Sequence, residues 1–159
     1  MLPFRTILFA TDFSAPSNVA FEVASALARD YKARMIALHV IEPAAAGYSE
    51  FAPYIGPEED NGEAMAKLQA IKAPSSRVTI EHLLLEGAPA AVIAETAAET
   101  GADLVVMGTH GRTGLARLVM GSVAEQVLRR APCPVLTVRG VVPVKVEEPA
   151  EGMPETVML

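Results

Sequence analysis

Short apolar runs and helix-like periods alternate along this chain, and that alternation restricts the possible folds more than any other feature. Thr6 to Ala10 and Met35 to Ile41 are continuous apolar runs, as expected of strands covered on both faces. Val78 to Leu85, Asp103 to Met107 and Pro134 to Val138 complete a predicted set of five strands. Between the first two, Val19, Ala20, Val23, Ala24, Leu27 and Tyr31 recur at three and four, the period of an amphipathic helix. Pro16 suits that helix's first turn. A weaker period predicts a second helix over 57–72. Pro89 opens a third, which Gly101 closes, and Ser122 to Arg130 forms a fourth, stopped by Pro132. Strands joined by helices make a parallel sheet with helices on both faces. Right-handed crossovers then predict an α/β, doubly wound, five-stranded sheet of order 3-2-1-4-5.

The fourth run carries the chemistry. It ends abruptly at Gly108, and Gly111, Gly114 and Gly121 follow, the last directly before Ser122 and the fourth helix. Strand, glycine-rich loop and helix in this order bring bare backbone N–H groups to an anion, and the helix N-terminus adds the positive end of its dipole. The stretch reads as a phosphate cradle. Ligands of open parallel sheets bind beyond the carboxyl ends of the strands, where the winding reverses. In order 3-2-1-4-5 that point lies between the first and fourth strands. Thr11-Asp12, Val40-Ile41 and Gly108 therefore converge on one crevice.

Residue chemistry suggests roles. The N–H groups around the four glycines, with the Ser122 hydroxyl, suit phosphates. Arg112 either adds charge or points to water. Asp12 is an acceptor for a ribose hydroxyl or a base amino group, or for Mg2+ through water. Val40 offers backbone groups to a purine edge, and Met107 an apolar surface. Plainer readings stand beside these. Asp12 precedes a helix and suits a cap or turn, while Ser122 with Glu125 matches the capping box. His39 alternates within an apolar strand as a core residue would, and His82 faces solvent or a neighbouring helix. His110 is the only histidine of the loop, and one histidine makes no metal site.

Composition excludes several classes. At 159 residues, 51% of them hydrophobic, the chain is expected to form one globular domain. No apolar run reaches the length of a membrane span, and no basic segment precedes a long apolar stretch at the N-terminus, so a cytoplasmic protein is expected. The net charge of -6, without a basic cluster, argues against nucleic acid and anionic membranes as partners. Lys145 stands against Glu147, Glu148, Glu151 and Glu155, so 140–159 reads as an acidic, mobile tail or a short extra strand. The single cysteine, Cys133, rules out an internal disulfide framework and is expected as a small buried apolar residue. Neither G-x-x-x-x-G-K-[ST], nor G-x-G-x-x-G after the first strand, nor G-x-S-x-G occurs, and no catalytic or metal-ligating set is evident. The segment 43–62, rich in proline and bearing Tyr48, Phe51 and Tyr54, reads as a long loop, functional or mobile rather than structural.

Gly108, two residues, Gly111, nine residues, Gly121 and Ser122 match G-x2-G-x9-G-[ST] without a gap. With Phe9-Ala10-Thr11-Asp12-Phe13-Ser14, Leu38-His39-Val40-Ile41 and Ala131-Pro132-Cys133-Pro134-Val135-Leu136, the chain resembles the ATP-binding branch of the universal stress protein family over residues 1–139. The resemblance implies a Rossmann-like, adenine nucleotide alpha hydrolase-like fold and an adenine nucleotide, ATP or AMP/ADP with Mg2+, in the crevice. It implies ribose at Asp12, within Ala10-Thr11-Asp12, and adenine at the Val40 backbone. Ribose and phosphates would lie along Met107, Gly108, Thr109, His110, Gly111, Arg112, Thr113 and Gly114, and at Gly121, Ser122, Val123 and Ala124. It further implies a homodimer through the fifth strand and an unidentified downstream protein partner. Ala10 stands where proline is frequent, and Ala124 where a hydroxyl is frequent.

Three functions are thus in view. The first is a nucleotide-binding regulator of a stress response. The second is a slow ATPase or phosphotransferase, disfavoured by the lack of a P-loop lysine and an evident general base. The third is a nucleotide-free interaction module using the aromatic 43–62 loop.

Overall fold

A computed structural model describes residues 3–43, 60–110 and 120–140. The elements are β1 (Thr6–Ala10), α1 (Ala15–Tyr31), β2 (Arg34–Ile41), α2 (Asn61–Ala70), β3 (Ile80–Glu86), α3 (Pro89–Thr100), β4 (Leu104–Gly108), α4 (Ser122–Arg130) and β5 (Val135–Val138). All strand pairs are parallel, in the order β3-β2-β1-β4-β5. The expected topology is therefore the one observed.

Alternation along the strands divides the core into two layers. Ile7 and Phe9 of β1, Met35 and Ala37 of β2, and Leu104 and Val106 of β4 face α1 and α2, where Ala20, Ala24, Ala28 and Leu68 receive them. Their strand neighbours Leu8, Ile36, Leu38 and Val105 face α3 and α4, against Ile93, Ala97, Ala124 and Val127. β1, β2 and β4 are interior strands, which is why their sequences are continuously apolar. Each fully buried Leu, Ile or Phe contributes about 1.5–3 kcal/mol of burial energy. α1 meets the sheet through Ala20, Ala24 and Ala28, so it lies close to the strands.

Several boundaries differ from expectation. The second helix begins at Asn61 rather than near 57 because the Asp60 carboxylate caps it, accepting from Gly62 N at 2.7 Å and Glu63 N at 3.4 Å. It ends at Ala70, where Ile71 turns extended. β3 starts at Ile80, two residues late, because Val78 N donates instead to Ser75 O in a turn. Pro134 lies just outside β5, yet its carbonyl still accepts from Val105 N at 3.0 Å. Asp103 precedes β4 and accepts from Arg5 N and Thr6 N at 2.8 and 2.9 Å, tying the sheet's lower edge. Gly101 closes α3 in the left-handed conformation, φ 63°, as its position predicted. Lys32 does the same for α1 at φ 56°, without a glycine to announce it. The 44–59 stretch with Tyr48, Phe51 and Tyr54, the segment 111–119 and the tail from 141 lie outside the described residues.

Candidate functional site

The winding reverses between β1 and β4. Crossovers α1 and α2 lie on one face of the sheet, and α3 and α4 on the other. The register puts Ala10 beside Leu38 on one side and Met107 on the other, so β1 and β4 end nearly level while β2 runs on past them to Ile41. Thr11 N still donates to Leu38 O at 2.9 Å, and there the chain leaves the sheet.

Strand geometry then orients Val40. Leu38 directs its backbone groups toward β1, whereas Ile41 O accepts from Gly87 N on the β3 side. Because the direction alternates residue by residue, the Val40 N–H and C=O point to the β1 side, past the last β1–β2 pair. They face the space above the end of β1.

The β1–α1 turn is a dense polar network. Thr11 is buried, and its hydroxyl oxygen accepts from Phe13 N at 3.0 Å and from the Ser17 hydroxyl at 2.7 Å. Its side chain thus serves the turn. Asp12 is half-buried, and its Oδ1 accepts from Ser14 N at 3.0 Å and Ser14 Oγ at 2.5 Å. Ser14 is the N-cap of α1, accepting from Ser17 N. Of the plain expectation for Asp12, a cap or turn residue, the turn is what the structure shows, since the helix cap is Ser14.

β4 delivers the glycine edge. A Cβ on Gly108 would sit 3.2 Å from Pro16 C and 3.3 Å from Ser17 N, so this glycine lets the first turn of α1 pack on the strand end. Ala10 and Met107 are nearly buried and belong to the α3–α4 core layer. Thr109 is buried; its N–H donates to Val138 O at 2.9 Å and its carbonyl accepts from Gly121 N at 2.8 Å. These two bonds bring the end of β5 and the start of α4 to the end of β4. His110 is half-buried beyond it. Gly111, Arg112, Thr113 and Gly114 lie outside the described residues.

The start of α4 corrects the capping-box expectation. Gly121, not Ser122, is the N-cap, and as a glycine it supplies no side-chain cap. Ser122 occupies the first helical position and is exposed, while Glu125 pairs with Arg129 at 2.6 Å. The N–H groups of Ser122, Val123 and Ala124 thus form the first turn, where an α-helix supplies no acceptor of its own. Ala124 is 2% exposed with its methyl in the core, so it brings its backbone to the site and not its side chain.

His39 is a residue whose part the sequence reading missed. It is buried, as expected of a core histidine, but its Nδ1 lies 2.7 Å from Thr11 O. The clue was topological: β2 adjoins β1, so His39 stands level with the turn that follows β1. His82 faces a neighbouring helix end, with Nε2 2.8 Å from Ile71 O.

Cys133 departs from expectation. It is half-buried at the margin of the α3–α4 core, not fully enclosed. Burial, and then the nearby Asp103 carboxylate, raise its thiol pKa above the ordinary value, partly offset by a hydrogen bond with the Val105 backbone. A raised pKa means less thiolate at neutral pH. Iodoacetamide should therefore modify Cys133 more slowly near pH 7 than it does a free cysteine peptide, with the rate still climbing at pH values where the peptide has levelled off. A rate matching the peptide's across that range would contradict this reading.

Fold and crevice define the class first: a doubly wound, Rossmann-like α/β protein whose central strand ends open at the reversal of winding. The chain belongs to the Universal stress protein family, whose model matches residues 3–139. It is 36% identical over 143 residues to Universal stress protein MJ0531 of Methanocaldococcus jannaschii, covering 86% of this chain and 82% of that one. Among solved structures, hypothetical protein MJ0577 of the same organism superposes with a TM-score of 0.73 at 29% identity, covering 87% of this chain and 97% of the other. A universal stress protein crystallised in complex with cAMP superposes with a TM-score of 0.64 at 28% identity, covering 88% and 100%. No helix among the described residues is long and apolar enough to cross a membrane.

Proposed function

We propose that the crevice binds an adenine nucleotide, ATP with Mg2+ or its products ADP and AMP, and that the protein is a nucleotide-responsive regulator in a cytoplasmic stress response. The observation that carries this is the start of α4. A helix N-terminus whose cap residue is a glycine, with no side chain to offer, is held by the Thr109–Gly121 bond at the strand ends where a ligand of this fold would lie. Phosphates suit the N–H groups of Ser122, Val123 and Ala124, the Ser122 hydroxyl, and the glycine stretch Gly108 to Gly114. Asp12 suits the ribose hydroxyls, since an acidic group beside the phosphates would repel them. The Val40 N–H and C=O suit the donor–acceptor edge of adenine, and Met107 borders the same space. The cAMP complex of a structural relative supports an adenine ligand on this fold.

In this reading residues 1–139 are the nucleotide domain and 140–159 an acidic appendage. The protein is a homodimer through β5, an edge strand whose Leu136 is 37% exposed. Signal output passes to a downstream protein partner.

The test is direct. Freshly purified protein is denatured and the released nucleotide is identified by chromatography, beside a Gly111→Val, Gly121→Val control. ATP, ADP or AMP in stoichiometric amount from the parent and none from the control is the expected result. An empty parent that also gives no heat on titration with MgATP would overturn the reading. Sedimentation of the same sample reports the dimer.

A further inference from the structure

Ser14 holds the Asp12 carboxylate through Oδ1, and the backbone that carries Asp12 is held by a residue of the neighbouring strand. Asp12 lies between Thr11 and Phe13, and one imidazole meets both. His39 Nδ1 is 2.7 Å from Thr11 O. The Phe13 ring lies against the same imidazole, with centroids 4.4 Å apart and planes at 38°. A carbonyl oxygen only accepts, so His39 donates from Nδ1. Phe13 has φ 63°, the left-handed region that a side chain other than glycine's rarely adopts. Such a conformation persists where surrounding contacts over-determine it. Here the contacts are the Phe13 N–H to Thr11 Oγ1 bond, the imidazole, and the Lys67 ammonium 6.0 Å from the phenyl centroid.

His39 also immediately precedes Val40. In a strand its side chain and the Val40 backbone are fixed relative to each other, with no rotatable loop between them. The two groups assigned to ribose and adenine stand on different strands, and His39 is a direct side-chain link between them. We propose that His39 is a positioning residue for nucleotide binding. By clamping Thr11 and Phe13 it sets the Asp12 carboxylate at a fixed place relative to Val40, so that ribose and adenine are met together. This inference rests on the adenine-nucleotide reading. A histidine that merely filled the core would support the fold equally well with any isosteric apolar residue.

The experiment is a double-mutant cycle on the full chain, with MgATP and AMP as titrants. His39→Leu keeps the volume and removes the donor. His39→Asn places an amide N–H near the Nδ1 position. Loss of one well-placed hydrogen bond and its orienting effect should weaken binding about tenfold in His39→Leu. His39→Asn should recover most of it. In an Asp12→Ala background, His39→Leu should change affinity less than about twofold, because the residue acts through Asp12. Equal losses in both backgrounds, or a folded His39→Leu with parental affinity, would overturn the proposal. Should His39→Leu not fold, Phe13→Gly removes the ring that leans on His39 while keeping the backbone angle accessible. It is expected to weaken both ligands in a protein that still unfolds cooperatively, at some cost in thermal stability because Phe13 packs on the core, and parental affinity there would refute the clamp. Amide exchange at Asp12, Phe13 and Ser14 separates the two readings. If the parent binds no nucleotide, the adenine reading fails, and exchange decides the clamp alone: faster in His39→Leu supports it, unchanged defeats it.

Discussion

Asp12→Ala should lower ATP affinity by about tenfold to a hundredfold, the range for one or two hydrogen bonds to a charged acceptor. The substitution removes the only carboxylate of the β1–α1 turn. It also removes the acceptor for Ser14 N and Ser14 Oγ, and with it the support of the α1 N-cap. A stability loss of about 1 kcal/mol should therefore accompany the loss of binding. Asp12→Asn separates the two effects. Its side-chain oxygen can still accept from Ser14, so thermal unfolding should stay near the parent while affinity falls. Calorimetric titration and thermal melts on all three proteins read this out. A carboxylate near the triphosphate would act in the opposite direction, so tighter binding by Asp12→Asn would move Asp12 from the ribose end to the phosphate end. Parental affinity in a folded Asp12→Ala would remove it from the site altogether.

Gly108→Val should damage both the fold and the crevice. The new Cβ would lie 3.2 Å from Pro16 C, 3.3 Å from Pro16 Cβ and 3.3 Å from Ser17 N. Two of these are backbone atoms of α1's first turn, which cannot rotate away as a flexible side chain would. The helix or the strand end must shift, and overpacking of this kind costs about 1–3 kcal/mol. Valine's two methyl groups should place it at the upper end, with Gly108→Ala below it. Either movement also separates β4's end from the Asp12 turn, so binding should fall further than stability alone explains. Denaturant unfolding beside nucleotide titration distinguishes these. A Gly108→Val protein with the parental midpoint would mean that α1 and β4 do not approach as closely as described.

Much of this was readable from the residues. Continuous apolar runs marked β1, β2 and β4 because interior parallel strands are covered on both faces. Gly101 announced its helix end because only a left-handed position demands glycine there. Boundaries were less legible where a side chain overruled the period. Asp60 started α2 and the Val78–Ser75 turn delayed β3, and neither contact leaves a mark in the hydrophobic pattern. Gly121 took the cap that the Ser122–Glu125 pair advertised, since the Thr109–Gly121 bond sets where the helix begins.

The same division holds at the site. The sequence by itself determined the fold class, the strand order and the ends of β1, β2 and β4 as the converging edges. These depend on local periodicity and chain handedness, which short stretches carry. Only the tertiary structure decided the work of individual side chains. Thr11 turned inward to Ser17, Ala124 kept its methyl in the core, and His39 left the class of plain core residues by reaching Thr11 O. The Thr11 and His39 contacts each depend on the distance and direction between groups brought together by folding. His39 and Thr11 are separated by 28 residues. No local pattern encodes such a contact, because it is created only when β2 is laid beside β1.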